Sequence, residues 1–476
     1  MADAPTDAPI DAAALLERVE REGVKTVDVR FTDLRGRWQH IGLAAAGLTP
    51  AVLEDGLMFD GSAIAGWRDV SQSDMLLKPD LESAVQDPFS AQPSLILIAD
   101  VAEPGTGLGY ERCPRSVAER AEAQLAASGT ANRVTVAPQA EFFVFDDVRF
   151  DVRTEEGTWR VDAEEGPFNS GTRYEVGNRG HRPQGGAPLA VPPVDQGADL
   201  RAEMAAMLES MGLEVLRHHH DLAPCQHRLG LGLGGLRASA DRLQIYKYVV
   251  HNVASSYGKT ATFLPKPMAF QPGSGLQVQQ ALWQDERPVF AGQGYADLSD
   301  VCLRYIGGIL QHARALNAFT NPTTNSYRRL VRGGGAPRQL AYAALNRSAA
   351  VRVPFATRPE GKRVEVRFAD PAANPYLGFA ALLMAGLDGI ERRIDPGEAM
   401  DRNLYDLPPE EVDELPTVCT TLAEALDALD RDRAFLTAGE VFTDDLIDAY
   451  IALKRAEIEA VESVPHPVEF QLYYSV

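Results

Sequence analysis

Residues 133–145 read RVTVAPQAEFFVF. The run is rich in β-branched and aromatic residues and predicts a strong strand. Glu141 stands inside it as a lone carboxylate. Two other segments carry comparable chemistry. His218, His219, His220 and Asp221 close the run EVLRHHHD. Glu365 and Arg367, in RVEVRF, are two residues apart and share one face of a strand. Arg329, Arg347, Arg352 and Arg363 add guanidinium forks suited to carboxylate and phosphate. Three carboxylates with an arginine cluster imply an anion site to which a divalent cation could be added. Taken singly, the same residues also fit a solvated strand face, and the His run also fits local packing.

Outward from this strand, the chain divides in two. Residues 11–22 have helical spacing and stop at Gly23. Val27, Val29 and Phe31 alternate with polar residues, a turn follows at 33–36, and Trp38 to Leu43 returns as the second strand of a hairpin. Residues 94–101, SLILIADV, predict a buried strand. These elements form a small α+β domain over residues 1–112. The larger domain, 113–476, opens with a helix at 113–128. Residues 146–196 are rich in Gly, Pro, Asn and charge and predict an elaborated loop with a short hairpin. Helices are predicted at 242–257, at 376–393, where the sequence is apolar nearly all round, and near 443–463. The tail VEFQLYYSV is too apolar to extend into water, and it is expected to pack on a neighbouring subunit.

Bulk properties narrow the function. The chain has 476 residues, 45% hydrophobic and 24% charged, enough for two substantial cores. A net charge of −21 argues against nucleic acid and anionic membranes as partners. Cys113, Cys225, Cys302 and Cys419 form no CxxC pair, which fits a reducing cytoplasm. The first residues lack the basic and apolar regions of a signal peptide, and no apolar run nears the ~20 residues that span a bilayer.

Long segments resemble type I, bacterial glutamine synthetase: MFDGSAIAGW at 58–67, IYKYVVHNVA at 245–254, YGKTATFLPKPM at 257–268, NPTTNSYRRLV at 321–331 and EVRFADPAANPYL at 365–377. The similarity runs from about residue 20 to Val476. It implies a small β-grasp-like N-terminal domain and a large catalytic-type domain, an antiparallel sheet with flanking helices. It further implies synthesis of glutamine from glutamate, ammonia and ATP through γ-glutamyl phosphate, with two Mg²⁺ or Mn²⁺ ions. The family's sites lie between subunits of a double hexamer.

Carried over residue by residue, the resemblance gives Asp60 as the group that binds and deprotonates ammonium. Glu141, Asp221 and Glu365 would be metal ligands, Glu141 also facing the substrate amino group. Gly273, Arg329 and Arg367 would hold glutamate, and Arg347, Arg352 and Arg363 phosphate. Other positions depart from the family. Gln139 stands for a metal-site glutamate, and Leu229, eight residues after Asp221, for another. Gln277 and Gln279 replace a metal-binding and a nucleotide-side histidine. Leu216, Ala281 and Glu360 replace nucleotide contacts, and Gly335 replaces the flap glutamate, within a triple glycine at 333–335. Cys225 and His227 are new in this loop, as a thiol–imidazole pair or as a buried Cys beside a loop His. Tyr405 matches a tyrosine that some members carry adenylylated.

These departures lead to an expectation of one weak cation site at most, doubtful ATP and Mg²⁺/Mn²⁺ binding, and a fold repurposed to another reaction on a glutamate-like acid or amine. The alternatives are a non-catalytic subunit or sensor, co-assembled with an active synthetase, and a weak ATP-dependent glutamate–ammonia ligase. Either way a cytoplasmic homo-oligomer acting on a small molecule is expected.

Overall fold

The computed structural model describes residues 10–166, 180, 188–331 and 335–475. It resolves two compact units, residues 1–117 with 210–212, and residues 118–209 with 213–476.

The first unit begins with the helix Ala12–Arg21, whose N-cap Asp11 accepts a hydrogen bond from the Ala14 amide at 2.8 Å. Its strands are β1 (Thr26–Thr32), β2 (Trp38–Ala44), β3 (Leu57–Asp60), β4 (Asp74–Pro79), β5 (Val85–Gln86) and β6 (Ser94–Ala102). They pair in the order β2-β1-β6-β4-β3, with β5 on β6. The central β1–β6 pair is parallel, and the others are antiparallel. The buried face carries Val27, Val29, Leu95 and Leu97.

In the second unit the predicted strand is β7 (Arg133–Phe145). A separate hairpin follows, β8 (Asp147–Val152) and β9 (Gly157–Asp162). Then come β10 (Val215–His220), β11 (Gln226–Leu231), β12 (Thr260–Thr262), β13 (Leu276–Gln284), β14 (Arg287–Pro288), β15 (Tyr342–Ala344), β16 (Val351–Val353) and β17 (Val364–Val366). The main sheet runs β10-β11-β7-β13-β17-β16-β15, with β12 on β7 and β14 on β13. It is not wholly antiparallel, because β15 and β16 pair in parallel. Both are three residues long, and the chain between them, with Leu345 at φ +63°, winds back to restart in the same direction.

Helices cover one face of this sheet. The helix Leu236–Ser256 starts earlier than its apolar pattern predicts, at the N-cap Gly235, and Tyr246 Oη donates to the Ala140 carbonyl of β7 at 2.9 Å. The helix Pro375–Glu391 is buried on nearly every side, as its composition predicts. It lies so close to the helix Asp300–Gln311 that a Cβ on Gly308 would sit 2.0 Å from the Ala385 carbonyl. The apolar tail forms the helix Pro467–Tyr473, with Phe470 58% and Tyr474 79% exposed within the chain. Among the described residues no helix is long and apolar enough to cross a membrane.

Candidate active site

The open face of the second unit's sheet holds the chemistry, and strand alternation decides which side chains reach it. On β7, Gln139 and Glu141 point to this face, while Phe142 packs against Tyr246 on the helix side. On β11, Gln226 and Arg228 point to the face, and His227 and Leu229 are buried on the other. On β13, Gln277 lies opposite Gln139 and Gln279 opposite Glu365, while Gln280 accepts from Tyr305 Oη at 2.8 Å among the helices.

Leu229 is therefore not the residue that faces the acids. Counting eight positions from Asp221 goes one residue too far, and the alternation of β11 puts Arg228 there instead. Its guanidinium bonds Glu141 through Nη2, and reaches Asp221 Oδ2 through Nε at 2.8 Å and Nη2 at 2.7 Å. Glu141 Oε2 also accepts from the Gly275 amide at 2.7 Å and from Gln226 Nε2 at 3.1 Å. Burial raises the Glu141 carboxyl, and Arg228 offsets part of that rise. Burial works against the charge on Arg228, but Glu141 and Asp221 more than restore it.

A second cluster surrounds Glu365. Arg352 Nη1 lies 3.2 Å from both carboxylate oxygens, Gln279 Nε2 donates at 3.0 Å, and Arg367 Nε stands 3.4 Å away. Arg363 Nε donates to Gln279 Oε1 at 2.8 Å, and Arg217 Nη2 to Gln139 Oε1 at 3.1 Å. Five arginines thus share this face with three carboxylates. The glutamines between them space charged groups.

The metal set expected from the sequence does not form. Glu141, Asp221 and Glu365 are engaged by arginines, and no three Asp, Glu, His or Cys among the described residues are grouped to hold a metal ion. Hard cations need several oxygens unencumbered by donors, and the Glu141 and Asp221 oxygens already accept from protein groups. These residues do not fit a divalent cation.

The other predicted residues fall as follows. Arg329 is buried, and its Nη1 donates to the Phe368 and Ala369 carbonyls at 2.9 and 3.2 Å. Gly273 carries the carbonyl that accepts from Gln226 at 3.2 Å, and a Cβ there would strike the Pro265 carbonyl at 2.3 Å. Arg347 is in the exposed turn between β15 and β16, and its charge helps lower Arg367 after burial, the main cause. Ala281 is buried, Leu216 is exposed on β10, and Glu360 is exposed in the turn Pro359–Gly361. Tyr405 Oη donates to the Gly335 carbonyl at 2.8 Å; the other two flap glycines lie outside the described residues. Asp60 belongs to the first unit, where it accepts from the Ser62 amide at 2.9 Å and hydroxyl at 2.6 Å. Those bonds lower its carboxyl.

Cys225 and His227 are not a reactive pair. The thiol is packed with Phe143, Phe145, Ala223 and Met268, and burial with nearby Glu165 pushes it well above its ordinary value. His227 is pushed well down by burial and by Arg201, whose Nη1 lies 2.9 Å from Nδ1. Arg201 comes from the helix Ala198–Ser210, absent from the sequence-based expectations, and it also bonds Asp195. His220, likewise, is a buried partner of Glu165 at 2.5 Å.

Comparison with known proteins resolves the family. Residues 23–104 match the glutamine synthetase β-grasp domain and residues 111–473 the glutamine synthetase catalytic domain. The chain is 55% identical over 467 residues to the glutamine synthetase of Azospirillum brasilense, covering 98% of this chain and 100% of that one. It is 53% identical over 469 residues to the enzyme of Escherichia coli K12, with 98% and 100% covered. Among solved structures, Plasmodium falciparum glutamine synthetase superposes with a TM-score of 0.89 at 27% identity, over 99% of this chain and 100% of that one. A GmaS chain in complex with ADP gives a TM-score of 0.82 at 27% identity, over 97% and 99%. The expectation of a repurposed or non-catalytic protein with a degenerate site is overturned here. Identity of 51–55% with named glutamine synthetases over their full length supports ordinary activity of that kind. From β-grasp domain to catalytic domain, the chain is a bacterial-like, type I member of the glutamine synthetase family.

Proposed function

We propose that this protein is an ATP-dependent glutamate–ammonia ligase. The observation that carries the reading is the 55% identity that extends over the whole of a named glutamine synthetase. The arginine-rich sheet face supports it, since glutamate, ATP and an acyl phosphate are all anions that guanidinium groups grip well. Arg367 supports it more specifically. Its Nη1 is buried with no hydrogen-bond partner among the described residues, a donor open to an acceptor from a ligand or an ordered water. The ADP held by the structurally similar GmaS chain points to an adenine nucleotide as co-substrate.

In this reading the γ-carboxylate of glutamate attacks the terminal phosphorus of ATP and ADP leaves. Ammonia then adds to the acyl carbon, and phosphate departs to leave glutamine. Arg329, Arg367 and Gly273 hold glutamate; Arg347, Arg352 and Arg363 neutralise the transferring phosphoryl group. Asp60 draws the proton from ammonium, from a neighbouring subunit of a double-hexameric ring. The site of action is the cytoplasm. The test is phosphate release by the purified full chain with ATP, glutamate and ammonium. Release that needs all three, with glutamine formed in equal amount, supports the proposal. No release, or release indifferent to ammonium, overturns it.

A further inference from the structure

Glu141, on the central strand β7, and Asp221, in the turn between β10 and β11, are joined by a cation that belongs to the chain. Arg228 Nη2 contacts Glu141 Oε1 and Asp221 Oδ2, and Nε adds a second bond to Asp221 at 2.8 Å. The remaining oxygens are also taken. Glu141 Oε2 accepts from Gly275 and Gln226 at 2.7 and 3.1 Å, and Asp221 Oδ1 from the Leu222 amide at 2.8 Å. A divalent ion placed between these acids would have to expel the guanidinium and strip those donors. Were the guanidinium to stay, the ion would meet a like charge a few ångströms away.

We propose that Arg228 is a tethered cation that takes the place of a divalent metal ion between Glu141 and Asp221. It bridges the acids, as a metal would, and its planar fork fits two carboxylates at once. It cannot be exchanged or removed by a chelator. Its Nη1 makes no hydrogen bond to protein among the described residues, which leaves the two N–H groups of Nη1 for an anionic ligand. This last role rests on the ligase reading; the tethered cation itself does not. A lysine could neutralise the acids but not bridge them with the same geometry.

The experiment is a Mn²⁺ titration of the full chain without ATP or glutamate, with free Mn²⁺ read by its paramagnetic resonance. In the wild type, Glu141→Gln and Asp221→Asn are expected to leave the isotherm unchanged within about twofold. Arg228→Glu, which supplies a third carboxylate and removes the cation, is expected to gain one Mn²⁺ site per chain, at least about tenfold tighter than any wild-type site. A wild-type Mn²⁺ site weakened about tenfold or more by Glu141→Gln would overturn the proposal. Should Arg228→Glu not fold, the wild-type and Glu141→Gln isotherms decide alone. Failure here is separable from failure of the ligase reading. An active enzyme that loses a Mn²⁺ site in Glu141→Gln sinks only the tethered cation. An inactive chain with unaltered isotherms sinks only the ligase.

Discussion

Nη1 of Arg352 stands 3.2 Å from each carboxylate oxygen of Glu365, on neighbouring strands β16 and β17. Glu365 is 2% exposed, so the pair is judged by the cost of a stranded charge rather than by a surface ion-pair value. Arg352→Met leaves that buried carboxylate one donor short and is expected to cost about 3 kcal/mol. Glu365→Gln keeps the shape and frees arginines that retain some access to water, and should cost about 1 kcal/mol. Urea unfolding of both variants checks the ranking; equal losses would show that the pair is not buried as described.

Arg367 is expected to matter for substrate more than for folding, because Nη1 has no protein hydrogen bond to lose. Arg367→Met should raise the KM for glutamate at least about tenfold, the loss of about 1.4 kcal/mol or more of ligand interaction, with a smaller fall in Tm than Arg352→Met, since Arg367 approaches Glu365 without a hydrogen bond. Steady-state kinetics beside a thermal melt tests this. An unchanged KM would remove Arg367 from the glutamate site.

All four cysteines are buried and free, and burial raises each thiol that would have to ionise to react. Native protein should therefore give almost no fast reaction with Ellman's reagent at pH 8, and the full four thiols in denaturant. Cys225→Ser should leave activity within about twofold, since the thiol only packs. A rapidly titrating thiol that vanishes in Cys225→Ser would reinstate Cys225 as a reactive group.

His312 bridges Asp388 and Asp432 at 2.8 and 2.7 Å and stacks on Phe435. Burial pulls its imidazole down, but the bonds from Asp432 and Asp388 prevail and hold it above the ordinary 6.5. The folded state binds this proton more tightly than the unfolded one does. Its contribution is thus complete below pH 6.5 and is lost as pH rises through the elevated folded value. The stability of wild type relative to His312→Gln, measured by urea unfolding across pH 5.5 to 9, should fall with rising pH. A flat difference would show that the two aspartates do not stabilise the charged ring.

Much of this arrangement could be read from the chain alone. The largely apolar strand Arg133–Phe145 and the nearly all-apolar helix Pro375–Glu391 announce themselves because burial on most sides demands it. Glu365 and Arg367 were legible as neighbours from strand spacing. Arg228 was not, because counting from Asp221 treats a loop as a ruler. The signal available was the alternation Gln226, Arg228, Gly230 against His227, Leu229, Leu231. Leu229 and Leu231 fix the buried side, and polar Arg228 must then face the acids. The helix Ala198–Ser210 was missed because Arg201 interrupts its buried side, and only the tertiary partner Asp195 makes an arginine acceptable there. The reading of lost chemistry failed for a different reason. Departures at single positions are scattered through a chain that is more than half identical to full-length synthetases.

The closing helix Pro467–Tyr473 has a cellular consequence. Phe470, Leu472, Tyr473 and Tyr474 form an adhesive end on any chain that stands alone. Chains are then most vulnerable to clumping at high synthesis rates, when many such ends are present at once. Trimming the last residues would be expected to trade this hazard for a chain that stays dispersed.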